Sequence, residues 1–370
     1  MLSIQQVRSR REHAEFISVP ESIYLCDSPW VQPPNMVVKG YLDKKNPFYR
    51  DGVGEGFVVR RREKIVGRIM AHVWNRHHRL HGERVGYFGF FECKYDHEAA
   101  ALLLDAAADF VRDHECDVIR GPFNMTGAQE VGILTGGFDQ APAVDMVYTA
   151  PWYPVLLEQN GFQKCLEMQT RTQHDVTGLD PDVIAEGYRD SKTSNGVQLR
   201  CLISRRRNEE MEMVRDVVNA SFLGNWGFVP ITRQEWELQT GALLPILDPS
   251  LVILATVQDV VVGVTLAVPD FNRVFRKTAG RLFHPAALGL FGRSKLKEVV
   301  VILCAVRKQY QGLGIGRLLN AELLRRVREG GYASLSTTWI GAQNASSLAS
   351  SDAFGMTQRH TLAMYERGLA

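Results

Sequence analysis

Three glycines at alternate positions, Gly312, Gly314 and Gly316, separate an apolar segment from an amphipathic one. The apolar residues 299–306 are strong β-formers and predict a buried strand. From Ile315 onward the apolar residues recur at helical spacing, which predicts a helix. Glycines allow close approach of the backbone, and the free N–H groups at a helix start point at a bound anion. The stretch therefore predicts an anion-binding loop between a strand and a helix.

The elements around this loop occur twice along the chain. Each half is predicted to contain a hairpin, a long strand, a loop, an amphipathic helix, a further strand and a further helix ending at glycine. The separation from strand end to next strand is equal in both halves, from Phe91 to Asp117 and from Val306 to Tyr332. An internal duplication of one α/β unit explains this repetition.

The length of 370 residues exceeds what one ordinary core accommodates, so two domains are expected. The polar, turn-rich residues 176–198 are predicted to link domains 1–175 and 199–370. The expected fold class is α/β, with an α+β type of mixed sheet in each of two tandem domains.

The overall composition sets further limits. Hydrophobic residues make up 45%, charged residues 23%, and the formal net charge is +2, which gives no reason to expect a nucleic-acid partner. No window of about 18 apolar residues is present, so no membrane partner is expected. The first residues lack an apolar signal segment, and the six cysteines are scattered without a Cys-x-x-Cys pair. These features predict a cytoplasmic protein with reduced thiols.

Several segments carry narrower expectations. Residues 1–50 are rich in proline and are predicted to form an ordered loop region. Residues 72–81 contain four histidines but are predicted to form a strand end and a solvated loop, with no metal bound. The Gly-rich residues 121–142 are either a folded excursion or a pocket lining, and Asn124–Gln140 are the best candidates to face a substrate. Residues 270–297 are either an insertion helix or a mobile lid. Their aromatic-rich part, Phe271 to Phe291, is expected to line an acyl tunnel, to cover the active site or to pack between the domains.

The run Gln311-Gly-Leu-Gly-Ile-Gly316 resembles the acyl-CoA loop of the GNAT acyltransferases, Gln/Arg-x-x-Gly-x-Gly/Ala. The order of elements over residues 199–367 strengthens the resemblance, and residues 1–173 resemble a second GNAT unit. A dinucleotide-binding turn would instead need Gly-x-Gly-x-x-Gly and an acidic residue about 20 positions on. Here the third glycine comes one position early, and the next predicted strand ends without an acid.

The resemblance implies an acyl-CoA co-substrate, acetyl-CoA or a longer acyl-CoA, and no metal. The strand backbone would hold the pantetheine arm, and the loop N–H groups would hold the pyrophosphate. Arg307, Lys308 and Arg317 either meet the remaining phosphate charge or are plain surface residues. The residues that the resemblance assigns to CoA binding are Cys304, Ala305, Val306, Gln311, Gly312, Leu313, Gly314, Ile315, Gly316, Arg317 and Asn344.

Direct acyl transfer to an amine needs a base for the ammonium and an acid for the thiolate. The family's usual acid is a tyrosine at the position of Ser351, and its usual glutamate is at the position of Val300. Cys304 lies in an apolar strand and is predicted to be a structural thiol rather than a nucleophile. The candidate catalytic residues are Tyr365, Glu298 and Ser351, with His360 as a further substitute.

The N-terminal unit departs further from the family. Its corresponding loop, Glu92–His97, has no glycine and carries two acids where phosphates would lie. This unit is predicted to bind no CoA and to complete the acceptor site or brace the other domain. The predicted activity is N-acyltransfer, most simply N-acetyltransfer, to a small-molecule amine. The alternative is a sensor that binds acyl-CoA without turnover.

Overall fold

The computed structural model describes residues 1–25, 27–126, 130–186, 196–243, 247–278 and 296–369. Within these residues, fourteen strands form one mixed sheet. The strands are β1 (Leu2–Gln6), β2 (Gly52–Arg61), β3 (Lys64–Trp74), β4 (Val85–Cys93), β5 (Val118–Gly121), β6 (Ile133–Gly136), β7 (Gln163–Gln173), β8 (Val197–Cys201), β9 (Val252–Val257), β10 (Val260–Pro269), β11 (Glu298–Val306), β12 (Ser334–Thr337), β13 (Ile340–Gly341) and β14 (Thr357–Gly368).

Helices cover the sheet, and short 3₁₀ turns connect several elements. The helices are α1 (Arg10–Ser18), α2 (Asn35–Leu42), α3 (Asn75–His81), α4 (His97–Asp113), α5 (Tyr153–Gln159), α6 (Pro181–Ile184), α7 (Arg207–Phe222), α8 (Arg233–Leu243), α9 (Asn272–Thr278), α10 (Ile315–Glu329) and α11 (Ala345–Ala353). The 3₁₀ turns are Val19–Ser22, Pro47–Arg50, Ser204–Arg206, Pro249–Leu251 and Lys308–Tyr310.

The predicted repeat is visible in the two parallel strand pairs. β4 pairs with β5, and β11 pairs with β12, each pair being connected by one amphipathic helix, α4 or α10. Both helices bury an apolar face against the sheet, with Leu103 and Val111 on α4 and Leu319 and Leu323 on α10. The amphipathic periodicity of the sequence therefore predicted both crossover helices.

The two halves exchange their last long strands. The sheet order is β1-β2-β3-β4-β5-β14-β7-β12-β11-β10-β9-β8, so β14 from the C-terminal half lies beside β5. β7 from the N-terminal half lies beside β12. Residues 176–198 separate the two halves along the sequence. In the folded sheet the halves are not separate, because β14 of the C-terminal half pairs with β5 and β7 of the N-terminal half pairs with β12.

Two local expectations were wrong. Residues 1–50 contain β1, α1 and α2 instead of an irregular loop. Helix α1 begins with a capping box, in which the Glu12 N–H donates to Ser9 Oγ at 3.2 Å and the Ser9 N–H donates to the Glu12 carboxylate at 2.6 Å. The expected loop within residues 72–81 is helix α3.

The histidines of α3 are held by other parts of the protein. His77 Nε2 hydrogen-bonds to the Tyr87 hydroxyl at 3.0 Å, and His81 Nε2 to the carbonyl oxygen of Phe228 at 3.0 Å. Among the described residues, no group of three or more potential metal ligands is present. Likewise, no described helix combines the length and apolarity needed to cross a bilayer.

Candidate active site

The glycine loop leads from β11 into α10. Gly312 and Gly314 have φ angles of 78° and 76°, a left-handed conformation that glycine adopts without steric cost. Gly314 is the N-cap of α10 and offers no side-chain cap. Among the described residues, no hydrogen-bond acceptor is assigned to the N–H groups of residues 312–316. This loop thus presents several free donors at the positive end of a 15-residue helix.

Strand β11 separates from β12 halfway along its length. The parallel pairing runs from Glu298 opposite Ser334 to Val301 opposite Thr337 and then stops, although β11 continues to Val306. On its other edge β11 stays paired with β10, with an irregularity at Ile302. The edge of residues 302–306 that faces away from β10 therefore has no neighbouring strand, as the resemblance implied for the segment that holds pantetheine. Side chains contact its two ends, since the Thr338 hydroxyl donates to the carbonyl oxygen of Ile302 at 3.1 Å and Gln311 Nε2 donates to that of Val306 at 2.9 Å.

A cavity of about 1340 Å³ extends from this open edge into the N-terminal half. The segment 301–306 and the glycine loop form one part of its wall. Trp30, Asn124 and Tyr148 of the N-terminal half form another, and the lining is more apolar than polar. The cavity is thus built by both halves, and part of the predicted substrate-facing stretch Asn124–Gln140 lies in its wall.

Most residues assigned to CoA binding line this cavity. Leu313 does not, and it packs instead against the hydrophobic core. Asn344 is also the N-cap of α11, where its Oδ1 accepts from the Ser347 N–H at 3.1 Å. The predicted residues that line the cavity are Cys304, Ala305, Val306, Gln311, Gly312, Gly314, Ile315, Gly316, Arg317 and Asn344.

Cys304 has the features of a structural thiol. Burial raises the pKa of its thiol, and the Thr265 hydroxyl donates to Sγ at 3.4 Å. A thiol with a raised pKa is mostly protonated near neutral pH and is a poor nucleophile. The basic residue Arg307 also has a structural contact, since its Nε donates to the carbonyl oxygen of Val261 at 2.9 Å.

The three candidate catalytic residues are not brought together. Tyr365 is fully buried, its hydroxyl donates to Glu158 at 3.3 Å, and it does not line the cavity. Glu298 also lies outside the lining and forms an ion pair with Arg359 at 2.6 Å.

Ser351 lines the cavity, but its hydroxyl donates to the carbonyl oxygen of Leu348 at 2.7 Å and accepts from Arg171. The catalytic roles of these three residues remain predictions. His360, the further substitute, is buried between Thr170 and the carbonyl oxygen of Gln140.

In the N-terminal half, the chain itself fills the corresponding gap between strands. Beyond Tyr87, β4 is no longer paired with β5. The Phe123 N–H donates to the carbonyl oxygen of Phe88 at 2.7 Å, and Asn124 Oδ1 accepts from the Phe90 N–H at 2.7 Å. A Cβ atom on Gly89 would lie 2.4 Å from the carbonyl oxygen of Phe123. These contacts fill the gap beside β4, whereas no strand or loop backbone fills the corresponding gap beside residues 303–305 of β11.

The loop after β4 is also unlike the glycine loop. Asp96 caps α4, where its Oδ1 accepts from the Ala99 N–H at 3.1 Å, and Asp96 forms an ion pair with Arg61 at 2.7 Å. The helix start that would receive phosphate is therefore occupied by a carboxylate of the chain.

Acidic residues lie at the N-terminal end of the cavity, and sequence reasoning did not group them, although Glu130 falls within the predicted substrate-facing stretch Asn124–Gln140. Glu130 and Asp145 line the cavity with side chains that are exposed to it. Desolvation by the surrounding protein raises the pKa of both carboxyls, that of Asp145 to about 7. Behind them Glu92 accepts hydrogen bonds from Tyr24 at 2.8 Å and Tyr153 at 2.5 Å. Burial raises the pKa of Glu92 to about 7. Since these acids are far apart in sequence, no local pattern marks them as one group.

The Acetyltransferase (GNAT) family matches residues 211–356, the part of the chain that contains β11, the glycine loop and α10. Residues 211–356 form a GNAT acyltransferase domain. Protein YghO of Escherichia coli (strain K12) is 28% identical over 317 residues, which cover 85% of this chain and 81% of that protein. A protein of Caulobacter vibrioides named bacterial ceramide synthase is also 28% identical, over 100% of this chain and 98% of its own length.

The whole chain shares its fold with a solved tandem-GNAT protein of the clavulanic acid biosynthesis pathway. The two superpose with a TM-score of 0.58 and 13% sequence identity, covering 100% of this chain and 99% of the other. At this identity the likeness concerns the fold alone. The tandem-GNAT arrangement and the acyltransferase class expected from the sequence are confirmed.

Proposed function

We propose that this GNAT acyltransferase is an acyl-CoA-dependent N-acyltransferase that joins a long acyl chain to the amine of a long-chain acceptor. The observation that carries the proposal is the cavity of about 1340 Å³ beginning at the open edge of β11. Its volume exceeds the ~300–1,000 Å³ typical of small-molecule pockets, and its lining is mainly apolar. A short acyl group and a small polar amine would leave most of this space empty.

The relative named bacterial ceramide synthase supports the same substrate class. A ceramide is the amide of a fatty acid and a long-chain amino alcohol, so its formation requires a site for two long chains. The identity of 28% extends over the whole of this chain, and therefore over both halves that form the cavity wall.

In the proposed reaction, the N–H groups of residues 312–316 hold the pyrophosphate of CoA and the open edge of residues 302–306 holds the pantetheine arm. The ammonium group of the acceptor first loses one proton to solvent, and the neutral amine then attacks the thioester carbonyl carbon. The C–N bond forms, the C–S bond breaks, the nitrogen loses its second proton, and the thiolate of CoA takes up one proton. A backbone N–H on the open edge stabilises the negative charge that develops on the thioester oxygen.

The alternative is an acyl-CoA sensor without turnover. The contacts of Tyr365 and Glu298 favour it, because both candidate catalytic groups are engaged outside the cavity. Such a protein would keep the CoA contacts and the cavity but release no free CoA.

Turnover assays distinguish the two functions. The purified chain is mixed with acetyl-, octanoyl- or palmitoyl-CoA and with ethanolamine, glucosamine or sphinganine. CoA release is followed with a thiol reagent, and the amide is identified by mass spectrometry. Palmitoyl-CoA with sphinganine is expected to give the highest turnover. Preference for acetyl-CoA with a short amine would overturn the long-chain assignment, and CoA binding without turnover on any pair would favour the sensor.

A further inference from the structure

Helix α10 carries one amide side chain within its apolar face. The buried residues of this helix are Ile315, Leu319, Asn320, Ala321, Leu323, Leu324 and Val327. Asn320 is the only polar residue among them, and it is only 5% exposed. Asparagine is a weak helix former, and its amide has both donor and acceptor atoms to satisfy when it leaves water. Packing alone would favour an apolar residue here, so the amide requires a separate explanation.

The Asn320 amide has no partner within the described part of the protein. Its side chain makes no hydrogen bond or ion pair with another described residue. Its oxygen and nitrogen atoms are nevertheless accessible, because neither belongs to the unpartnered polar atoms that are sealed inside the protein. Asn320 lines the large cavity. Buried polar groups are rarely left unpaired, so a molecule bound in the cavity is expected to complete the hydrogen bonds of this amide.

The position of Asn320 along α10 indicates which part of a ligand it meets. The helix contributes residues 314–317 to the cavity wall beside the glycine loop, and Asn320 about one turn further on. At a rise of about 1.5 Å per residue, Asn320 lies about 9 Å along the helix from Gly314. Beyond it, Leu323 and Leu324 are fully buried in the core. A ligand whose phosphates bind at the loop therefore meets Asn320 with a part that lies beyond the phosphates.

The chemistry of the amide selects the pantetheine arm of the proposed co-substrate. A side-chain amide offers an N–H donor and a carbonyl acceptor, and a secondary amide offers the complementary pair. The pantetheine arm contains two secondary amides between the pyrophosphate and the sulfur atom. A fatty acyl chain, in contrast, has no polar atom beyond its thioester carbonyl. The nucleotide lies on the other side of the pyrophosphate.

We propose that Asn320 hydrogen-bonds an amide of the pantetheine arm of acyl-CoA and thereby sets how deeply the thioester enters the cavity. This inference rests on the proposed function and specifies its co-substrate site. In the proposed reaction the arm also runs along the edge of residues 302–306, which has no neighbouring strand. Asn320 thus adds a side-chain contact to the backbone contacts of that edge. It is a binding residue and takes no part in proton transfer.

The test measures the binding of two probes to the full chain. CoA carries the pantetheine arm, and adenosine 3′,5′-bisphosphate keeps the nucleotide of CoA but lacks the arm. Calorimetry is expected to show that Asn320→Leu weakens CoA binding by about 5- to 30-fold, which corresponds to the loss of one or two hydrogen bonds. Binding of the bisphosphate should not change. Asn320→Ala should act in the same direction, and Asn208→Leu, at an exposed position of α7, is the matched control.

Thermal unfolding separates ligand binding from a structural role. In the free protein the amide is unpaired, so Asn320→Leu should leave the Tm unchanged or raise it. At the same CoA concentration, the Tm of the variant should rise less than that of the unmodified chain, because a ligand stabilises the folded state according to its affinity. A lower Tm of the free Asn320→Leu protein would show that the amide has a partner in the protein and would contradict the inference.

The remaining outcomes are equally distinct. The inference is overturned if folded Asn320→Leu and Asn320→Ala proteins bind CoA as tightly as the unmodified chain, in which case water alone completes the amide. Equal weakening of CoA and bisphosphate binding would also overturn it. So would a rise in KM for the amine with unchanged CoA affinity, since Asn320 would then contact the acceptor. If the unmodified chain itself binds no CoA, the proposed function is wrong, and this inference falls with it.

Discussion

Replacement of Gly314 by glutamate should abolish most CoA binding. Gly314 caps α10 with φ of 76°, and its neighbours present free N–H groups. We assume a separation of about 5 Å between the new carboxylate and each of two bound phosphates. At an effective dielectric constant of about 40, each phosphate charge repels it by about 1.7 kcal/mol. The sum of about 3 kcal/mol corresponds to a ~150-fold loss of affinity.

A three-member series separates this charge effect from the other consequences of losing the glycine. Gly314→Ala measures the cost of a side chain in the left-handed region, about 1–2 kcal/mol of unfolding free energy. Gly314→Gln adds the bulk of glutamate without its charge. The charge effect is therefore the difference in CoA affinity between the Gln and Glu variants, measured by calorimetry. It should shrink as salt is added, because the interaction is exposed to ions.

Gly82 provides the control for strain. It ends α3 with φ of 69°, and a Cβ atom added there would meet nothing within 4 Å. Gly82→Glu should therefore cost similar stability without affecting CoA binding. If Gly314→Glu binds CoA within about threefold of Gly314→Gln, the loop does not hold the phosphates and the site assignment is wrong.

Three further predictions concern the two halves and their buried groups. Glu92 has a pKa raised by burial to about 7, so the folded state holds its proton more tightly than the unfolded state. The contribution of Glu92 to the free energy of unfolding is therefore lost as the pH rises from about 4.5 to 7. In denaturant titrations, Glu92→Gln should reduce the difference in unfolding free energy between pH 5 and pH 8 by about 2–3 kcal/mol. Residues 1–175 expressed alone should not fold cooperatively but should associate with co-expressed 176–370, because β14 completes the N-terminal half; a cooperative melt of the isolated fragment would contradict the exchange. Tyr365→Phe should change turnover by less than about twofold, since the hydroxyl contacts Glu158 outside the cavity; a tenfold loss would restore Tyr365 as the catalytic acid.

The sequence by itself determined the local structure of the glycine loop that is proposed to bind acyl-CoA. Alternating glycines between a β-forming run and an amphipathic pattern predict a strand, a loop and a helix. This prediction is possible because each pattern depends only on residues that are close together in the sequence. The internal repeat followed for the same reason, because α4 and α10 have the same apolar periodicity. The capping box of Ser9 and Glu12 was also readable from sequence and would have placed α1 correctly.

The tertiary structure alone decided how the halves combine. Nothing in Thr357–Gly368 specifies which strand it pairs with, because β-pairing depends on edges made by distant parts of the chain. The exchange of β7 and β14 was therefore not predictable. The same limit applies to the charged residues at the N-terminal end of the cavity. Arg68, Glu130 and Asp145 approach one another there from separate loops and strands, and the desolvation that shifts the pKa of their side chains exists only once the chain is folded.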